Sequence, residues 1–170
     1  MKSIAILRHG EAVFGGDYDA SRVLTKRGIQ YSRAAATTLR DMFSSVGGLQ
    51  AIFYSPFVRT QQTAETVHEI LAAQDERPIH LEATHSLLGD NTPLTVCRWL
   101  DTIPYERILL VSHQPLVSCL VDWLVQGSDS FKFGGANNYP FHPSSLAMLS
   151  ADITAQGCAN LLSLTHHPSH

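Results

Sequence analysis

The sequence predicts an α/β protein, a three-layer α/β/α sandwich around a mostly parallel central sheet. Short apolar runs at 4–7, 51–54 and 108–111 have the length and composition of strands buried on both faces. Each is followed by a longer segment whose apolar residues recur at helical spacing. Strand and helix alternate through most of the chain, and parallel strands need such helical crossovers. No internal repeat or linker divides the 170 residues, so one domain spanning 1–170 is expected. At that size roughly 70% of the unfolded chain's surface can be buried.

The first run ends in Arg8-His9-Gly10-Glu11, which puts a cation and an imidazole where strand gives way to loop. Loops beyond the carboxyl ends of parallel strands carry the sites of α/β sheets. Gly10, without a Cβ, lets the backbone pass close to a bound group. Residues 13–23 read as a polar, Gly-rich loop shaping the rim, with Glu11, Asp17 and Asp19 as solvating acids. Thr25 is a candidate N-cap, and Ile29, Ser32, Ala36, Leu39 and Phe43 mark a helix of about eighteen residues ending before Gly47-Gly48. Arg33 and Arg40 lie off this stripe and are expected in solvent.

Ala51–Tyr54 leads into Ser55-Pro56, and Thr60, Ala64, Val67 and Leu71 mark a second amphipathic helix with Arg59 in its first turn, beside unpaired backbone N–H groups. A short strand is expected at 79–81, then an N-cap at Thr92 with Pro93 at the first helical position and a helix to about Leu100. Residues 105–107 return the chain to the sheet. Pro115 opens a helix that turns Leu116, Leu120 and Leu124 inward and leaves His113 in the preceding turn. Residues 127–138 read as a long loop, and 145–149 and 159–164 as closing strands joined by a turn at 154–157.

Composition narrows the function classes. Hydrophobic residues make up 44% and charged residues 16%, ordinary for a globular chain. No apolar run approaches the ~18–20 residues of a membrane span. Met1-Lys2 leads straight into a strand, without a signal-like apolar segment, so a cytoplasmic protein without membrane contact is expected. A net charge of −3 argues against a nucleic-acid binder, which would show a basic excess. Cys97, Cys119 and Cys158 form no Cys-x-x-Cys pair, so they are expected as small buried hydrophobes, not as a disulfide framework or thiolate metal site. His68 and His80 stand alone, and His142 lies in a Pro-rich turn. His166, His167 and His170 have no carboxylate or cysteine beside them, so a frayed tail is expected there. No metal or other cofactor is expected.

Three strand ends therefore carry Arg8-His9, Arg59 and His113. A phosphoryl group in transfer spreads charge over its equatorial oxygens and needs converging positive groups with a nucleophile in line. Arg8, Arg59 and two helix N-termini supply the charge. Neutral His9 can attack phosphorus and hold it as covalent phosphohistidine, splitting one hydrolysis into two easier steps. Two unit charges at ~4 Å repel by about 4 kcal/mol at an effective dielectric of 20. This like-charge effect is expected to lower the pKa of His9 and keep it neutral near pH 7. Gly10 and Gln114 complete the expected phosphate- and substrate-binding set.

The blocks Arg8-His9-Gly10, Ser55-Pro56-Phe57-Val58-Arg59-Thr60-Gln61-Gln62-Thr63-Ala64 and Ser112-His113, in this order, resemble the histidine phosphatase superfamily, whose fold is phosphoglycerate mutase-like. The likeness runs from about residue 2 to about residue 125. Within the superfamily the chain looks most like the compact phosphohistidine phosphatases of the SixA type, whose later blocks read much like Ser-Pro-Phe-x-Arg-x-x-Gln-Thr and Val-Ser-His-x-Pro-Leu-Val. The resemblance implies His9 as nucleophile, with Arg8, Arg59 and His113 as its phosphate-binding partners. It also implies that members acting on small phosphorylated metabolites often carry a capping insertion and a Glu proton donor after the third strand.

Here only 53 residues separate Arg59 from His113, which leaves little room for a cap. The stretch 82–91 offers no clear match to the Glu; Asp90 and Glu82 are the candidate donors, and His85 falls near the expected place. An alkoxide leaving group needs such an acid, commonly worth roughly 10²–10⁴-fold. A phosphohistidine nitrogen departs with less help. The expected activity is thus dephosphorylation of a histidine-phosphotransfer protein or domain by a monomer, through a covalent intermediate on His9. The alternatives are a phosphomonoesterase acting on small phosphorylated metabolites or phosphoserine, and a non-catalytic phosphoprotein-binding module, against which the intact His9 speaks. A dinucleotide binder is excluded, since no G-x-G-x-x-G follows the first strand.

Overall fold

Along β1 (Lys2–Arg8) side chains alternate between two faces, and Ile4, Ala5, Ile6 and Leu7 are all fully buried. Such a strand needs cover on both sides. The computed structural model, which describes residues 1–15, 18–130 and 138–168, supplies it. Ile4 and Ile6 join a core with α3 (Pro93–Leu100) and α4 (Leu116–Gln126). Ala5 and Leu7 join a second core with α1 (Lys26–Ser44) and α2 (Val58–Ala72). These layers make the predicted α/β/α sandwich.

The other strands are β2 (Ala51–Tyr54), β3 (His80–Ala83), β4 (Arg107–Ser112), β5 (Leu146–Ala151) and β6 (Ala159–Thr165), in the spatial order β3-β2-β4-β1-β5-β6. All pairings from β3 to β1 are parallel, and β5 alone runs against its neighbours. Because β4 inserts between β2 and β1, the carboxyl ends of these three strands meet at one edge. Arg8 stands level with Ser112, and Tyr54 with Val111. Two backbone bonds carry the register past the strand ends: His9 N–H donates to Ser112 O at 3.0 Å, and Ser55 N–H to Val111 O at 3.1 Å.

Thr25 and Thr92 cap α1 and α3 by accepting from the N–H groups of Gly28 and Thr95. Pro115 is the N-cap of α4 and not its first helical residue. The inner face of α1 begins at Gly28, so Ile29 faces solvent against expectation. The reason is close approach: a Cβ on Gly28 would fall on the Glu11 carbonyl oxygen, so only glycine lets the helix lie this near the 9–11 segment.

Two further expectations are corrected. Cys97 and Cys119 are buried, but Cys158 is exposed, in the turn before β6. The tail is tied down instead of frayed through residue 168. His167 is 7% exposed, with Nδ1 donating to Ser144 O at 2.7 Å and Nε2 paired with Thr38 Oγ1 at 2.9 Å, while His166 Nδ1 pairs with Ser145 Oγ at 2.6 Å. Asp17, most of the expected 127–138 loop and His170 lie outside the described residues. Among the described residues no helix is long and apolar enough to cross a membrane.

Candidate active site

His9 sits just beyond the end of β1, 6% exposed. Its Nδ1 lies 2.7 Å from the Gly10 carbonyl oxygen. A carbonyl only accepts, so Nδ1 carries the proton and Nε2 keeps its lone pair. Arg59 Nε donates to that Nε2 at 3.3 Å.

Arg59 is the second residue of α2 and is held from three directions. Its Nη1 donates to Asp19 O at 2.8 Å, its Nη2 to Asp19 Oδ2 at 3.2 Å, and its guanidinium carbon lies 4.9 Å from the centre of the Phe57 ring. Asp19 also pairs with Arg22 at 3.1 Å. Burial pushes the Asp19 carboxyl up, but the hydrogen bond and charge of Arg59, with Arg22 behind it, hold it below its usual value. An acid read from sequence as loop-solvating is therefore the partner of the central guanidinium.

His113, just past β4, meets His9 edge-on at 5.4 Å between ring centres. Its Nε2 pairs with Ser55 Oγ at 2.8 Å, and its ring packs on Phe57 at 5.0 Å. Arg8 donates from Nη1 to Phe141 O at 2.8 Å, while its Nε is buried without a partner among the described residues. The register of β2, β4 and β1 thus brings together Arg8, His9, Arg59 and His113.

Burial is the main reason the pKa of His9 falls to about 3; the Gly10 carbonyl opposes it, and the charges of His113, Arg59 and Arg8 add to it. The like-charge repulsion expected from sequence is real but comes second to desolvation. His113 falls to about 4, again first through burial and then through Arg59, with Asp19 opposing. Both rings are neutral near pH 7.

The other candidates occupy different roles. Gly10 N–H donates to Thr63 Oγ1 at 3.0 Å, and a Cβ at Gly10 would meet Gly28 O at 2.8 Å and Ser32 Oγ at 3.0 Å. Its missing Cβ serves packing against α1, not the passage of a ligand, and its N–H is already used. Gln114 lines a cavity of about 350 Å³ with Arg59, His113, Asp19 and Asp90, and its Oε1 accepts from Ser118 N at 3.3 Å. Asp90 is exposed at this cavity. Glu82 is exposed on β3, 3.6 Å from His80 Nε2, and does not line it. His85 opens a one-turn helix, 85–87, which a bond from Ser112 Oγ to Leu87 O at 2.6 Å ties to β4.

Sequence reasoning missed Asp19 as a site residue, along with the supporting roles of Ser55, Phe57 and Thr63. Arg59 and Thr63, four residues apart, share a helical face, a spacing that was a usable signal, whereas Ser55 precedes the helix. Asp19 offered only its i,i+3 relation to Arg22. Among the described residues no group of three or more His, Cys, Asp or Glu side chains is placed to hold a metal ion.

A family model described as histidine phosphatase superfamily (branch 1) matches residues 4–84. A Haemophilus influenzae protein named phosphohistidine phosphatase SixA homolog is 31% identical over 159 residues, 88% of either chain. Phosphohistidine phosphatase SixA of Escherichia coli K12 is 28% identical over 164 residues, 92% of this chain and 90% of that one. The solved structure of the protein histidine phosphatase SixA complexed with tungstate aligns at 26% identity over 95% of each chain, with a TM-score of 0.77. Relatives matched along most of their length, one of them 31% identical, place the molecule plainly: the chain belongs to the histidine phosphatase superfamily.

Proposed function

We propose that this phosphatase hydrolyses phosphohistidine on a histidine-phosphotransfer protein or domain, through a covalent phosphohistidine on its own His9. One observation carries the reading: the Gly10 carbonyl fixes the His9 proton on Nδ1 and so leaves Nε2 as a buried lone pair beside Arg59. In the first step Nε2 attacks phosphorus, the N–P bond of the substrate breaks, and the departing imidazole nitrogen takes a proton from water. In the second, water attacks phosphorus, the His9 Nε2–P bond breaks and restores the Nε2 lone pair, hydrogen phosphate leaves, and the proton lost by the attacking water neutralises the hydroxide left by the first step. Arg8 and Arg59 face the charge on the equatorial oxygens, and Arg8 Nε is a donor left over for one of them. A bound phosphoryl dianion raises the pKa of His113 and favours its cationic form.

The substrate class follows from the leaving group. Residues 82–91 bring no glutamate into the cavity beside His113, and the two relatives named above carry phosphohistidine in their names. Tungstate, bound by a third, is a tetrahedral dianion shaped like phosphate. One feature favours the phosphomonoesterase reading: Asp90 lines the cavity with Arg59 and His113. Turnover of a phosphorylated phosphotransfer domain and of an alkyl phosphomonoester by Asp90→Asn and Glu82→Gln separates the two, since an alkoxide leaving group needs the acid. Each variant is expected to keep kcat/KM on phosphohistidine within a few-fold and to lose more on the alkyl ester. A loss above about 10²-fold on phosphohistidine, some 2.7 kcal/mol, would make the acid essential and turn the assignment to a phosphomonoesterase.

A further inference from the structure

Beyond His9 the chain doubles back as a short ribbon. Ala12 and Leu24 form an antiparallel bridge, and Val13 N–H donates to Val23 O at 2.9 Å. Residues opposite one another in a ribbon share a face, and successive ones alternate. Ala12 and Leu24 turn inward, at 9% and 6% exposure, while Val13 and Val23 turn out, at 38% and 42%. Phe14 is 94% exposed and Tyr18 75%. Val13 and Val23 thus form an apolar pair on the outward face, Phe14 and Tyr18 beyond it are exposed as well, and a cluster of exposed apolar side chains is a candidate interaction surface.

Its position says what covers it. Val13 and Phe14 share a cavity of about 450 Å³ with Arg8, His9 and Arg22. A protein whose phosphorylated side chain enters this cavity to reach His9 passes beside Val13 and Phe14, whereas a small phosphoramidate needs only the groups that hold phosphate. At the foot of the ribbon Asp19 pairs with both Arg22 and Arg59 and offsets one of their two positive charges, while the exposed side chains of the ribbon itself, Val13, Phe14 and Val23, are uncharged. On a reading that rests on the proposed function, we propose that Val13, Phe14, Tyr18 and Val23 are the docking surface for the phosphorylated protein, with Phe14 as anchor. The partner it fits is a protein carrying an apolar patch beside its phosphohistidine. Aromatic side chains are the usual anchors of such contacts.

Steady-state kinetics of the full chain, Phe14→Ser, and the double variant Val13→Ser with Val23→Ser test this, on a phosphorylated histidine-phosphotransfer domain and on phosphoimidazole. Phe14→Ser is expected to raise KM for the protein roughly tenfold, insensitively to salt. Its kcat on the protein and its kcat/KM on phosphoimidazole should stay within about twofold of wild type. The double variant, altered only on the solvent face, should shift KM in the same direction and keeps the test open should Phe14→Ser fail to fold. Parallel losses on both substrates, or unchanged KM for the protein in both variants, would overturn the docking surface. Wild-type protein that hydrolyses phosphoimidazole with no preference for the protein overturns docking and leaves the phosphohistidine chemistry standing. Inactivity on both removes the proposed function, and docking with it.

Discussion

The proton of His9 is placed by a single backbone carbonyl, and the rest of the site is arranged around the lone pair this leaves. His113 is held by Ser55 and Phe57, and the proposed mechanism gives it the stabilisation of the transferring group. His113→Ala should lower kcat roughly 10²–10³-fold, the usual cost of one lost transition-state donor, and an effect below about threefold would make the ring structural. The same two imidazoles give stability a pH dependence. Both are depressed from 6.5, to about 3 and about 4, so as pH falls below about 6.5 the unfolded chain binds protons that the folded one does not. Their contribution is present above that point and is lost as pH falls toward 4 and 3. Urea unfolding at pH 7, 6 and 5 should show falling stability, with a shallower fall in His113→Gln; equal slopes would contradict the assignment. At this scale Arg8, His9, Arg59 and His113 were legible because each follows an apolar strand signal. Asp19 was not, because the one-turn helix it opens, 19–21, is too short to show periodicity, and its meaning depends on the fold bringing residue 19 to residue 59.

Among the elements, α1 shows most clearly where pattern and packing part. Its periodicity and Thr25 cap were readable, yet the stripe pointed to Ile29 while the buried face starts at Gly28. Propensity treats a helical glycine as a cost of about 1 kcal/mol relative to alanine, so Gly28→Ala would ordinarily stabilise. Here the added methyl meets the Glu11 carbonyl, one residue from Gly10. Gly28→Ala is expected to destabilise by roughly 1–3 kcal/mol, the cost of overpacking, in denaturant titrations. A variant at least as stable as wild type would show that α1 moves away freely. The β3 strand, expected at 79–81 and found at His80–Ala83, gave a weak signal because it is an exposed edge with little apolar alternation. The tail was misread because what anchors it, Ser144, Ser145 and Thr38, is distant in sequence from His166 and His167.

For the whole molecule the sandwich and its largely parallel sheet were legible, since alternating strand and helix leaves few other architectures. The strand order was not. Nothing local says that β4 enters between β2 and β1, yet that insertion is what sets three strand ends side by side and turns separate motifs into one site. The catalytic account stands on that juxtaposition and on His9 as the group that becomes phosphorylated. A rapid-quench experiment with a radiolabelled phosphohistidine phosphotransfer domain tests it most directly. The account predicts label that passes transiently to this chain, is acid-labile and alkali-stable, maps to His9, and disappears with turnover in His9→Ala. Turnover surviving in His9→Ala, or label that never reaches His9, would contradict it.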